Sequence, residues 1–121
     1  MTVSDFLNRI NARPDSIEFT EVIATIEAHY DYTPTRFTNG RNANTTINEA
    51  GQNEGSCKIF AFAKLHGLEK KQTLACFGKY YREDVLCNPA GDDHANIRNF
   101  MYNGWPGITF DGVALQTKAT P

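Results

Sequence analysis

No apolar run in the chain approaches the roughly 20 residues that cross a bilayer, so no membrane-spanning helix and no membrane partner are expected. Neither sign of charge predominates. Twelve Lys and Arg stand against fourteen Asp and Glu, and a net charge of −2 gives no electrostatic footprint for nucleic acid. Cysteine is sparse and odd in number: Cys57, Cys76 and Cys87. Three are too few for a disulfide scaffold, and no C-x-x-C pair supports a finger-type zinc site. Met1 to Arg13 lacks a cationic segment followed by an apolar stretch, so no secretory leader is expected and a reducing bacterial cytoplasm is the simpler setting. Repeats and low-complexity tracts are also missing. What remains is an ordinary globular composition, 40% hydrophobic and 21% charged over 121 residues, which fits one domain and a monomer.

Helical periodicity organises most of the chain. Val3, Phe6, Leu7 and Ile10 form one face of a short helix, capped by Thr2 or Ser4 and stopped by Pro14. Val22, Ile23, Ile26 and Tyr30 mark a second, from about Thr20. Cys57 to His66 is apolar around most of its circumference, which places it at the centre of the fold. Gly67 and Leu68 suit a Schellman stop. Leu74, Phe77, Gly78, Tyr81 and Val85 predict one long helix ending before Pro89. Gly78 inside it would cost roughly 1 kcal/mol against alanine, a sign of close packing against the Cys57–His66 helix. Asp92 or Asp93 would cap a last helix with the stripe Ile97, Phe100 and Met101.

The β content is small. Arg36–Thr38 and Thr109–Phe110 are strand candidates, flanked by Asn39-Gly40 and Asp111-Gly112 turns. Asn42, Asn44, Asn48 and Asn53 lie in a polar loop before Ser56. The expected architecture is therefore mainly α (α+β): about five helices with a small β element, spanning residues 1–115, followed by a tail from 116 to 121 that frays.

Three blocks are distinctive: Asn53-Glu54-Gly55-Ser56-Cys57-Lys58-Ile59-Phe60-Ala61-Phe62-Ala63, Thr73 to Leu86, and Asp93-His94-Ala95-Asn96-Ile97-Arg98-Asn99-Phe100-Met101 with Gly104-Trp105. Together they resemble the HopJ family, named for a type III secreted effector of plant-pathogenic pseudomonads, over roughly Phe6 to Leu115. The resemblance implies an effector-like protein, delivered into a host cell by type III secretion in its true effectors. It implies no known reaction, substrate or catalytic residue.

Candidate chemistry falls into three groups. Cys57 would sit in the first turn of its helix, where free N–H groups and the dipole lower a thiol's pKa. His94 would then serve as base, with Asp93 or Asn103 orienting it and Gln52 near an oxyanion. This layout is similar to papain-like proteases and defines a thiol-dependent hydrolase as the alternative to a binding module. The simpler reading makes Cys57 a small residue in a tight helix start. Asp92, Asp93, His94 and His66 lack the spacing of a metal site, and neither metal nor cofactor is expected. Arg82 and Arg98 suit a bidentate anion clamp, or else pair with Glu83, Asp84 or Asp93. Tyr80 and Tyr81 cannot both face the core, so one belongs to a pocket or an interface.

The leading expectation is a binding module for a protein or a small anionic ligand. Its site would lie where the Asn39–Ser56 loop meets the Cys57 helix, using Asn39, Asn53 and Ser56, walled by Asp93, His94, Arg98 and Trp105. In the opposing reading, the loop amides simply staple the loop to the last helix.

Overall fold

The computed structural model describes residues 2–41 and 45–118; Asn42, Ala43 and Asn44 of the polar loop and residues 119–121 of the tail lie outside it. The first helix, α1 (Val3–Ala12), buries Phe6 and Ile10. Thr2 caps it: its hydroxyl accepts from the Asp5 N–H at 3.0 Å, and the Asp5 carboxylate accepts from the Thr2 N–H at 3.4 Å. A 3₁₀ turn, Pro14–Ser16, leads to α2 (Phe19–His29), which buries Val22 and Ile26. Arg9 ties the two helices together through a two-pronged contact with the Glu21 carboxylate, at 2.6 and 3.0 Å.

Two small antiparallel sheets follow. Strand β1 (Tyr30–Tyr32) runs straight on from α2 and pairs with β5 (Leu115–Thr117). Strands β2 (Phe37–Asn39), β3 (Thr46–Asn48) and β4 (Ile108–Phe110) form the second sheet, with β2 in the middle. The strand candidates at Arg36–Thr38 and Thr109–Phe110 thus pair with each other, Phe37 opposite Phe110. The chain end differs from expectation. Gln116 and Thr117 are held by Asp31 and Tyr30 in β5, because an edge strand laid beside β1 supplies their backbone partners.

Helix α3 (Glu54–Leu65) is the central element and buries Cys57, Ile59, Phe60, Phe62 and Ala63. Phe60 is its hub, with ring centroids 5.0 to 6.4 Å from those of Phe37, Phe77, Phe100 and Trp105. The Schellman stop is present: Gly67 has φ +65°, and the Leu68 N–H donates to the Ala63 carbonyl at 2.9 Å.

The long helix expected from Leu74 to Val85 is not one helix. Helix α4 (Lys70–Ala75) ends, the chain turns at Gly78 with φ +58°, and a π-helical turn occupies Tyr80–Val85. The cause is a close approach. A Cβ on Gly78 would stand 2.7 Å from the Phe19 nitrogen, so the backbone packs on the start of α2 rather than on α3. The start of α5 (Ala95–Asn103) also differs. Neither Asp92 nor Asp93 is its N-cap. His94 holds that place in the left-handed region, because Arg98 draws the Asp93 carboxylate to itself at 2.6 Å. No helix among the described residues is long and apolar enough to cross a membrane.

Candidate ligand cleft

Helices α3 and α5 begin beside the same cleft, an open cavity of about 500 Å³. Their N-caps, Asn53 (φ 49°) and His94 (φ 52°), are the two non-glycine residues with positive φ among those described, and both line it. An N-cap ordinarily offers a side-chain oxygen to the N–H groups of the first turn. Here neither does. The N–H groups of Gly55, Ser56, Ala95, Asn96 and Ile97 therefore have no acceptor among the described residues, and all five residues line the cleft. Phe19, Phe77 and Tyr80 supply its aromatic wall, with Phe19 and Tyr80 edge to face at 5.1 Å. No carboxylate is among its lining residues.

The π-helical turn positions the groups around His94. Tyr80 lies beside its ring, centroids 5.4 Å apart and planes tilted by 44°, and Asp84 meets its Nε2 at 3.0 Å. Asp93 stands behind, 3.8 Å from Nε2. The Arg98 guanidinium holds the Asp93 carboxyl below its usual range. Tyr80 thus lies in the cleft while Tyr81 packs against the core, the division that helix geometry requires.

Behind the cleft, a buried cluster of asparagines staples α5 to the β2–β3 hairpin. Asn39 Nδ2 donates to the Asn96 backbone carbonyl at 2.8 Å and to Asn96 Oδ1 at 3.0 Å. Asn96 Nδ2 donates to Asn48 Oδ1 at 2.9 Å, and Asn53 Nδ2 donates to the same oxygen at 2.6 Å. Asn99 reaches the Thr46 hydroxyl at 2.7 Å. These bonds satisfy most of the amides, so the staple expected of the loop is real and forms the floor against which the helix starts are set.

The structure gathers only part of the expected site. Asn53, Ser56 and His94 line the cleft, and Asn39 is one layer behind it, fully buried. Arg98 binds Asp93 and the Pro89 carbonyl instead, at the surface. Arg82 donates to the Ile17 carbonyl at 2.9 Å and pairs with Glu18 at 3.6 Å, tying the π-helical turn to the start of α2. Trp105 packs on Phe60 and Phe100, its indole N–H on the Leu68 carbonyl. The two arginines and the tryptophan each have polar partners within the fold, and none of them lines this cleft.

Cys57 is likewise turned away. Its thiol is buried and donates to the Thr35 carbonyl at 3.6 Å, and it does not line the cleft that holds His94. The expected fall in its pKa is reversed. Burial pushes the thiol up. Cys76 is buried as expected, its thiol pushed up to about 12 by burial. Asn103 donates to the Asn99 carbonyl, and Gln52 accepts from the Glu49 N–H, so neither attends His94. Among the described residues, no three His, Cys, Asp or Glu side chains converge as a metal site would require. Sequence reasoning missed Asp84 as the partner of His94 and Phe19 as a cleft wall. Both come from the π-helical turn and its contact with α2, which periodicity does not reveal.

Fold and cleft together define a small α+β domain with a polar-floored, aromatic-walled recess between two helix starts. The chain belongs to the HopJ type III effector family, whose model matches residues 3–115. It is also similar to the crystal structure of VPA0580, a protein of unknown function, with a TM-score of 0.92 and 52% identity, covering 98% of this chain and 95% of that one. No curated protein matches it.

Proposed function

We propose that this HopJ family member is an effector-like binding module that takes a small anionic ligand, or an acidic side chain of a partner protein, in the cleft between α3 and α5. The observation that carries this reading is the convergence of two helix starts, each without a side-chain cap, on one recess. Backbone N–H groups at a helix start, aligned with the positive end of the dipole, favour an anion. The aromatic wall suits an apolar body attached to the anionic head, and the volume falls within the range of small-molecule sites. Such a module would act in the bacterial cytoplasm, and in a host cell where type III secretion delivers it. Titration of ¹⁵N-labelled protein with phenyl phosphate tests the reading. The amide signals of Gly55, Ser56, Ala95 and Asn96 should move together and saturate. Shifts confined to Arg82 and Arg98, or no shifts, would count against it.

A further inference from the structure

The two small sheets share one register. Phe37 lies opposite Phe110, and five residues further along each strand Tyr32 lies opposite Leu115. Between these pairs the Asp111 N–H donates to the Arg36 carbonyl at 3.0 Å, and the Thr33 N–H to the Ala114 carbonyl at 2.8 Å. Strands β1 and β2 on one side, and β4 and β5 on the other, thus form a single long ribbon. Strand β3 covers the β2 side, while among the described residues no strand pairs with the outer side of β4 or β5. The ladder fixes which backbone groups face out there. Gly107 and Asp111 bond toward β2, so Phe110 turns its N–H and C=O outward. Ala114 and Lys118 bond toward β1, which turns Leu115 outward in the same way. Neither N–H has an acceptor among the described residues. No proline from Ile108 to Lys118 blunts this edge.

Two pockets follow this edge, between it and the C-terminal end of α3. Ala61, Lys64, Leu65, Phe110 and Val113 border one of about 230 Å³. Lys64, Leu68, Trp105 and Ile108 border the other, of about 440 Å³. Leu65 and Val113 are 53% and 66% exposed, so the groove presents apolar surface to solvent. Its charge is concentrated at Lys64, which borders both pockets. The ammonium lies 5.7 Å over the Phe110 ring and meets no carboxylate among the described residues. Glu69 borders only the Trp105 pocket. We propose that this edge docks an extended segment of another protein, added as a strand beside β4, with an acidic residue between two apolar ones on its inward face. Backbone pairing to Phe110 would hold the segment, and alternate side chains would select it. The apolar pair fills the two pockets, and the carboxylate between them meets Lys64. A second copy of this chain suits the groove less well, because pairing two such edges about their middle sets Lys64 against Lys64. The surface shares no lining residue with the cleft between α3 and α5, so the proposal stands apart from the reading of that cleft.

The probe is the peptide Thr-Val-Thr-Glu-Thr-Val-Thr, blocked at both ends and titrated into ¹⁵N-labelled protein at pH 7. The Phe110 and Leu115 amides should shift together, and at saturation their exchange with deuterium should slow by about tenfold or more. Replacing the peptide's glutamate with lysine should weaken binding about two- to fivefold, the worth of one exposed ion pair. Lys64→Glu, on an exposed helix position, should reverse that preference while leaving the unfolding transition in place. Absence of binding at millimolar peptide, shifts confined to the amides of Gly55, Ser56, Ala95 and Asn96, or equal affinity for the two peptides would overturn the proposal. So would a dimer in sedimentation equilibrium whose Phe110 amide is protected without peptide, since a second copy would then occupy the edge.

Discussion

Replacing Gly78 with alanine separates two accounts of the middle of the chain, because they predict opposite signs. Were Gly78 inside a continuous helix, alanine would stabilise the protein by about 1 kcal/mol, the ordinary gap in helix propensity. In the structure Gly78 has φ +58°, a conformation that costs an alanine roughly 1–2 kcal/mol. The new methyl would also stand 2.7 Å from the Phe19 nitrogen and 3.4 Å from the Glu18 Cα and carbonyl carbon. These are backbone atoms at the start of α2, so relief requires moving a helix rather than turning a side chain. Overpacking of this kind costs about 1–3 kcal/mol. The sum is a loss of about 2–5 kcal/mol. With a urea slope of about 1–3 kcal/mol per molar for a small domain, the unfolding midpoint should fall by at least about 0.7 M. Circular dichroism at 222 nm during urea titration reads this directly. Gly78→Asn, which tolerates the left-handed region better but keeps the clash, should fall between the wild type and the alanine variant. An alanine variant with an unchanged or raised midpoint would refute the broken helix and the account of how Tyr80 reaches the cleft and Asp84 reaches His94.

Three further outcomes are expected. Phe60→Ala should cost about 3–5 kcal/mol in the same titration, since it empties a fully buried site ringed by Phe37, Phe77, Phe100 and Trp105. Acid should weaken the fold before the carboxylates titrate. Burial holds the His66 imidazole below its ordinary range, beside the Tyr30 hydroxyl at 2.5 Å, so the unfolded chain takes up that proton first. The stability His66 contributes is complete above the unfolded imidazole's pKa. It declines as pH falls through that value and levels off below the lowered folded one, and His66→Gln should flatten the urea midpoint between pH 7.5 and 5. In native protein at pH 8, iodoacetamide should modify the exposed Cys87 while Cys57 and Cys76 stay protected until urea is added, as peptide mapping by mass spectrometry would show; rapid native labelling of Cys57 would restore thiol chemistry as a reading.

The parts of the fold legible in the sequence are those governed by neighbours within one turn. The Val3–Ile10 stripe, the Thr2 cap, the apolar circumference of α3 and the Gly67-Leu68 stop are each set by residues three to five positions apart. The pairing of Phe37 with Phe110 was approachable because both segments carry β-formers beside turn dipeptides. Strands β1 and β5 were not. Each has three residues, and their pairing joins positions 30 and 117, a non-local choice that no local pattern encodes. The interruption at Gly78 was hidden for a related reason. Leu74, Phe77, Tyr81 and Val85 keep helical spacing across it, while the contact that breaks the helix comes from Glu18 and Phe19.

The candidate site shows the same division between residue type and backbone placement. Ser56, Asn53 and His94 stand out as polar groups beside predicted helix starts, and they meet at the cleft. Arg82, Arg98 and Trp105 stand out equally, yet each is consumed by a partner within the fold. What distinguishes the first set is backbone geometry. Asn53 and His94 sit in the left-handed region, a conformation uncommon for residues with a Cβ and tolerated best by short polar side chains. In that conformation neither side chain caps the helix that follows. Asn53 instead donates to Asn48, and His94 turns its Nε2 to Asp84. A side-chain cap at either position would have taken up first-turn N–H groups and closed that donor set to a ligand. The asparagine cluster matters for the same reason. By fixing Asn96 to Asn39 and Asn48, it holds the first turn of α5 against the hairpin, so the two exposed helix starts keep their relation without capping each other.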